Sequence, residues 1–138
     1  MAQLYLLDTN AASDVMNGDS NAVRLTLARK ARSSSITISS ITAAELRFGI
    51  RKRGSARLQK AFENFCIGAQ ILPWDDAPAV AYGQLRYDLA RSGTVLDVMD
   101  LLIAAHAVAL GAVLVTRDKA FQQIKNSVKI ENWATDLN

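Results

Sequence analysis

Short apolar runs alternate with longer amphipathic stretches along this chain. Leu4 to Leu7 is apolar and ends at Asp8, which predicts a strand with a polar end. Ala12 to Met16 predicts one or two helical turns, stopped by Asn17-Gly18-Asp19. Ser20 to Arg32 places Val23, Leu27 and Ala31 at helical spacing, with basic residues opposite. Ser35 to Ser39 alternates and is rich in β-branched residues, as a strand requires. Thr42 to Arg53 predicts a helix with Leu46 and Ile50 one turn apart, and Gly54-Ser55 interrupts it. Ser55 then caps a helix whose inner face carries Leu58, Phe62 and Phe65. Ala69 to Trp74 holds a short strand, QIL, ended by Pro73. Pro78 to Arg91 predicts a helix with Val80, Leu85 and Leu89 inward, stopped by Ser92-Gly93.

After the loop Thr94 to Met99, a nearly all-apolar helix is expected from Asp100 to Leu110. Such a helix is usually central and covered on every side. Ala112 to Val115 is a continuous apolar run, the pattern of a strand covered on both faces. Asp118 to Ile124 predicts a short helix, and Val128 to Ile130 a last strand before Trp133. Strands and helices thus alternate. The expected fold class is α/β, with a mainly parallel sheet between layers of helices. With 138 residues and no linker or repeat, one domain over 1–138 is expected.

Composition narrows the function classes. No apolar run approaches the roughly 20 residues a membrane helix needs. The N-terminus reaches Asp8 without a positive charge before its apolar run, so it does not read as a secretory signal. The single cysteine, Cys66, has no partner for an internal disulfide, which suggests the cytosol and a small buried hydrophobe. The net charge of +3 is unevenly spread: residues 1–69 carry 10 basic and 5 acidic side chains, residues 70–138 carry 6 and 8. Arg47, Arg51, Lys52, Arg53, Arg57 and Lys60 cluster with no acid between Leu46 and Phe62. They form either a solvated helix face or a surface for a phosphate backbone.

The acids of the candidate site come from distant segments. In an open parallel sheet, ligands bind at the carboxyl ends of the strands. Asp8 follows the first strand, Glu45 lies in the first turn after the second, Asp100 opens the central helix, and Asp118 follows VLVTR. Each also has an ordinary structural explanation. Asp8 and Asp118 could cap helices, Glu45 could close a capping box with Thr42, and Asp100 could complement its helix dipole. Together they are harder to explain that way. Two carboxylates about 4 Å apart repel by about 1 kcal/mol in water and about 4 in a protein-like dielectric. Gathered acids are tolerated around a hard cation, or when some are protonated. Oxygen ligands favour Mg²⁺ or Mn²⁺, and one His and one Cys cannot build a zinc site. A carboxylate-held divalent ion suits phosphodiester hydrolysis.

The stretches LYLLDTN, ISSITAAELRFGI, ILPWD, AYGQLRYDLARSGTVLDVMDLLIAAHAVALGAVLVTRD and ENW, in this order over almost the whole chain, resemble PIN-domain toxins of the VapC type. The resemblance implies a three-layer α/β/α sandwich, usually dimeric, with an acidic pocket that binds Mg²⁺ or Mn²⁺ and cuts RNA. By matching motifs it implies Asp8 and Asp100 as metal ligands. It gives Glu45 the role of water-holding group or base, and it makes Asp118 a fourth acid with Thr116 hydrogen-bonded in the pocket. The basic residues Arg47, Arg51, Lys52 and Arg53 would guide RNA. A VapB-like antitoxin would drape over the toxin and place a basic residue in the acidic pocket.

This chain departs from many relatives between Thr94 and Met99, where it lacks Pro and Gly and adds Asp97, read as a solvated loop residue or an extra ligand. His106 is expected to be packed and hydrogen-bonded rather than a base. Trp74 and Trp133 are expected as core or interface anchors, with base stacking the lesser alternative. Two other function classes remain at this point: a non-catalytic RNA- or protein-binding module, and a phosphoacceptor receiver domain using Thr116 and Lys119. The receiver lacks an acceptor Asp after SITIS.

Overall fold

A computed structural model describes residues 3–18, 20–32 and 34–134. Asp19 in the turn signal and Asp136 among the acids lie outside the described residues. The elements run β1 (Gln3–Leu7), α1 (Thr9–Asn17), α2 (Asn21–Ala31), β2 (Ser34–Ser39), α3 (Ser40–Arg53), α4 (Ala56–Gly68) and β3 (Gln70–Leu72). They continue with α5 (Asp76–Arg91), α6 (Val98–Leu110), β4 (Val113–Val115), a 3₁₀ helix (Lys119–Ile124) and β5 (Ile130–Glu131).

All five strands are parallel and lie in the order β3-β2-β1-β4-β5. Alternation along each strand sends side chains to two cores. Tyr5, Leu7, Ile36, Ile38, Val113 and Val115 pack on one face with Ala12, Val23, Leu46, Phe62 and Trp133. Leu6 and Leu114 pack on the other with Leu85, Leu89, Leu101, Ile103, Ala104 and Phe121. The result is the expected α/β/α sandwich. Burying a Leu or Ile side chain contributes about 1.5–3 kcal/mol, so these two layers hold the sheet centrally.

α6 is buried along Leu101 and Ile103–Ala107, as its continuous apolar sequence requires. α3 ends at Gly54, which adopts φ 60° and accommodates the left-handed turn that glycine tolerates best. Ser55 then caps α4, its Oγ accepting from the Leu58 N–H at 3.2 Å. One inward residue of α5 differs from the pattern. Val80 is 68% exposed, and Pro78 occupies the buried position beside Leu85 and Leu89. Cys66 is half-buried against the core, and burial raises its thiol pKa.

The strand order places a topological switch between β1 and β4. From β1 the chain proceeds to β2 and β3 on one side, then crosses to β4 on the other. Ligand sites of open parallel sheets form at the carboxyl ends of such strands. Here those ends carry Asp8, Ser39 and Thr116.

Candidate active site

Asp8 stands at the switch itself. Its backbone N–H donates to the Val115 carbonyl at 3.0 Å, continuing the β1–β4 pairing by one residue. Its side chain caps α1, Oδ1 accepting from the Ala11 N–H at 2.8 Å. Oδ2 remains for the pocket and accepts from the Thr116 hydroxyl at 2.5 Å. Thus one carboxylate oxygen caps α1 while the other is held by Thr116. Asp8 is only 4% exposed. Burial raises its pKa, the hydrogen bonds from Thr116 and Ala11 oppose that, and Asp118 adds a smaller upward push.

Glu45 does not close the capping box expected with Thr42. α3 begins two residues before Thr42, and Ser39 is its cap, with Oγ accepting from the Ile41 N–H at 3.1 Å. Glu45 therefore lies in the second turn of the helix. Thr42 is interior, and its buried hydroxyl has no hydrogen-bond partner among the described residues. Glu45 instead accepts from the Thr9 hydroxyl at 2.6 Å, across 36 residues of sequence.

Asp100 lies in the first turn of α6, but it does not directly precede the helix. The helix begins at Val98 and its cap is Asp97, whose Oδ1 accepts from the Met99 N–H at 2.9 Å. That cap explains the extra acid of this chain and leaves the half-buried Asp100 carboxylate free of a capping duty.

Asp118 caps the 3₁₀ helix through the Ala120 N–H at 2.9 Å. Its own backbone N–H donates to Thr116 Oγ1 at 3.0 Å. Thr116 thereby joins Asp8 and Asp118 through one hydroxyl. Arg117 turns outward along α1 and pairs with Asp14 at 2.8 Å.

The four sequence-predicted acids share one electrostatic neighbourhood. Asp100 has its pKa pushed up to about 6, first by burial, then by Asp118, Asp97, Asp8 and Glu45. Convergence at contact distance is not what the structure shows. Among the described residues, no three His, Cys, Asp or Glu side chains gather closely enough to hold an ion by themselves. A hydrated hard cation keeps several waters and needs only one or two carboxylates, so it does not require such a group. The donor set is oxygen-only, as Mg²⁺ and Mn²⁺ prefer.

The PIN domain profile matches residues 5–126 of the chain. "Ribonuclease VapC2" of Rickettsia felis is 35% identical over 132 residues, covering 94% of this chain and 98% of that relative. The chain belongs to the VapC group of the PIN-domain family. "tRNA(fMet)-specific endonuclease VapC" of Salmonella typhimurium is 33% identical over 131 residues, covering 94% of this chain and 97% of that relative. The crystal structure of VapBC2 from Rickettsia felis bound to a promoter DNA fragment contains a chain similar to this one. It shows a TM-score of 0.87 at 34% identity over 95% of this chain and 99% of that one.

Within this VapC-type fold the remaining candidates separate. Arg47, Arg51, Lys52 and Arg53 are exposed on α3. Arg53 lines a cleft of about 200 Å³ with Thr9, Asn10 and Glu45. Arg47 and Arg51 line a different groove with Ser55 and Gln59, and the Arg47 guanidinium lies 5.1 Å from the Phe62 ring centre. So the basic stretch is split, with Arg53 lining the cleft that holds Glu45 and Arg47 and Arg51 lining another. His106 is buried, bonded to Ser39 Oγ at 2.8 Å, and its pKa is lowered by burial. Trp133 is a core residue stacked edge-on to Tyr5 at 5.5 Å, and Trp74 donates to the Leu102 carbonyl. Neither indole N–H is free for a base.

Thr9 is the site residue that sequence reasoning missed. Its signal was its place in LLDTN, immediately after Asp8. Nothing in the local sequence pairs it with Glu45. That contact exists only because β1 and β2 are neighbours.

Proposed function

We propose that this VapC-type protein is a metal-dependent endoribonuclease and the toxin of a type II toxin–antitoxin pair. One observation carries the reading: burial first, then the charges of Asp118, Asp97, Asp8 and Glu45, push the Asp100 pKa up to about 6, so the predicted acids lie within electrostatic reach of Asp100 near the switch point of the sheet. Names of relatives support the reaction class, since two that are 35% and 33% identical to this chain are called a ribonuclease and a tRNA(fMet)-specific endonuclease.

Asp8 and Asp100 would hold Mg²⁺ or Mn²⁺. When bound, the ion supplies charge to offset the scissile phosphate and lowers the pKa of a water. Thr116 fixes the Asp8 carboxylate. Glu45, oriented by Thr9, accepts the proton of the attacking water, and Asp118 orients a further water. In-line attack breaks the P–O3′ bond and leaves a 5′-phosphate and a 3′-hydroxyl. Arg53 meets the RNA backbone beside Glu45, with Arg47, Arg51 and Lys52 extending the contact along α3.

The substrate class proposed is structured RNA of the transfer RNA type, and its loss inhibits translation. A VapB-like antitoxin is the proposed partner, because solved relatives are VapBC complexes. It would neutralise the toxin by placing a cation among the four acids. A homodimer is also proposed, and exposed Val80 and Tyr87 on α5 give a second copy a surface to pack on. No helix among the described residues is long and apolar enough to cross a membrane, and the cytoplasm, where transfer RNA resides, is the proposed location.

The test is brief induction of the chain in cells, with and without a co-expressed VapB-like antitoxin, followed by sequencing of RNA 5′ ends. New 5′-phosphate ends at one position of a stable RNA, suppressed by the antitoxin, are expected. Unchanged RNA ends with growth arrest would refute the nuclease.

A further inference from the structure

Trp74, in the ILPWD stretch after β3, stands between the two helices that carry Glu45 and Asp100. Its backbone N–H donates to Ser40 Oγ at 3.0 Å. Ser40 is the first residue of α3, five before Glu45. Its indole Nε1–H donates to the Leu102 carbonyl at 2.9 Å. Leu102 lies on α6, two residues after Asp100. The Trp74 ring meets Tyr82 of α5 edge-on, with centroids 6.3 Å apart.

A second tie runs beside the first. His106 Nδ1 and Ser39 Oγ are 2.8 Å apart and buried. Ser39 is the cap of α3, and His106 lies four residues after Leu102, on the same face of α6. Both ties therefore join the start of α3 to one stripe of α6.

The function described above leaves this pair of ties unused. As ordinary structure, a half-buried indole needs some acceptor, and any nearby carbonyl would serve. Its actual acceptor lies inside a helix, whose carbonyls already face their own backbone ladder. The bond is thus an addition to α6 rather than a repair of it.

We propose that Trp74 is a positioning residue for the divalent ion: it ties the helix of Asp100 to the helix of Glu45, with Ser39–His106 as a second tie. The inference rests on the metal-dependent reading given above. Groups that orient metal-binding carboxylates typically change metal affinity by about 10–100-fold when removed.

The experiment is Mn²⁺ binding to the full chain by calorimetry, alongside RNA cleavage as a function of Mg²⁺. Trp74→Phe removes the indole donor and keeps an aromatic ring. It should bind Mn²⁺ about 10-fold more weakly. Cleavage should recover at saturating Mg²⁺, so the metal requirement rises while kcat stays. Trp133→Phe is the control. It loses a comparable bond, Nε1 to Glu131 at 3.0 Å, but packs on the sheet face opposite α6. Its Tm should fall with Mn²⁺ affinity unchanged.

Wild-type Mn²⁺ affinity in Trp74→Phe, with affinity lost in Asp100→Asn, overturns this inference alone. Absence of Mn²⁺ binding by the wild type, or full binding by Asp100→Asn, overturns the metal reading and this inference with it. Should Trp74→Phe fold poorly, Ser40→Ala decides. It deletes the acceptor of the Trp74 backbone N–H; weaker Mn²⁺ binding upholds the role, and wild-type affinity overturns it.

Discussion

The Thr116 hydroxyl donates to Asp8 Oδ2 at 2.5 Å and accepts from the Asp118 N–H at 3.0 Å, coupling the ends of β1 and β4 through one side chain. Thr116→Val keeps the shape and removes the donor. The Asp8 carboxylate, only 4% exposed, then loses one of its two stabilising hydrogen bonds. The Asp8 pKa should rise further, and the metal concentration for half-maximal cleavage should rise about 10-fold or more. Stability should fall by about 1–3 kcal/mol, the usual cost of a buried polar group left short of a partner. Denaturant melts and Mg²⁺ titrations of cleavage check both effects.

Asp100→Asn should stabilise the metal-free protein while abolishing cleavage. The folded pKa of about 6 lies above the ordinary 3.8, so the folded state holds this proton more tightly than the unfolded state. The ionised carboxylate is therefore a destabilising feature, fully present above about pH 6. It fades as the pH falls from 6 towards 4. Metal-free wild type should gain stability on acidification through that window, by an amount of the order of 1 kcal/mol after solvent screening. The burial-raised Asp8 pKa adds to the gain in the same direction. Asp100→Asn should lack its own share. Melting curves between pH 4 and 7 in chelator test the sign.

Thr9 should act on rate rather than stability. Its hydroxyl donates to Glu45 Oε1 at 2.6 Å in a half-buried setting. Thr9→Val should lower kcat about 10-fold with little change in Tm, and Glu45→Gln should lower it by about 100-fold or more. Equal Mn²⁺ affinity in both variants is expected, since neither residue is a proposed ligand. Single-turnover kinetics and calorimetry separate the two quantities.

Arg53 should matter more than its neighbours on α3, because it lines the cleft that contains Glu45. Arg53→Ala should raise KM for RNA and reduce the salt slope of binding by about one unit, with kcat retained. Lys52→Ala should have the smaller effect. Binding at two salt concentrations gives the answer.

Much of the fold was legible because its signals are local. Continuous apolar runs mark β4 and α6, alternation marks β2, and Gly54-Ser55 marks the break between α3 and α4. The four acids stood out in the sequence because Asp8 and Asp118 follow strands and Glu45 and Asp100 lie within two turns of helix starts. Finer assignments failed where a residue had two possible partners. Thr42-Ala-Ala-Glu45 has the spacing of a capping box, yet Ser39 takes the cap because the strand runs directly into α3. Val80 fits the inner stripe of α5 by spacing, yet the helix begins early enough for Pro78 to be the buried residue. Asp97 and Asp100 could each have opened α6, and only the observed start at Val98 separates a cap from a site acid. Thr9–Glu45, Ser39–His106 and Trp74–Leu102 span 36, 67 and 28 residues, so they depend on strand order and leave no periodic trace in sequence.

The proposed site sets Asp8, Glu45, Asp100 and Asp118, from separate elements, around a divalent ion. The most direct measurement is cleavage of a structured RNA by purified wild type, Asp8→Asn and Asp100→Asn, each with Mg²⁺ and with chelator. Wild type should cleave with Mg²⁺ and not in chelator, and neither variant should cleave in either condition. Undiminished cleavage by either variant, or by wild type in chelator, would contradict the metal-dependent reading.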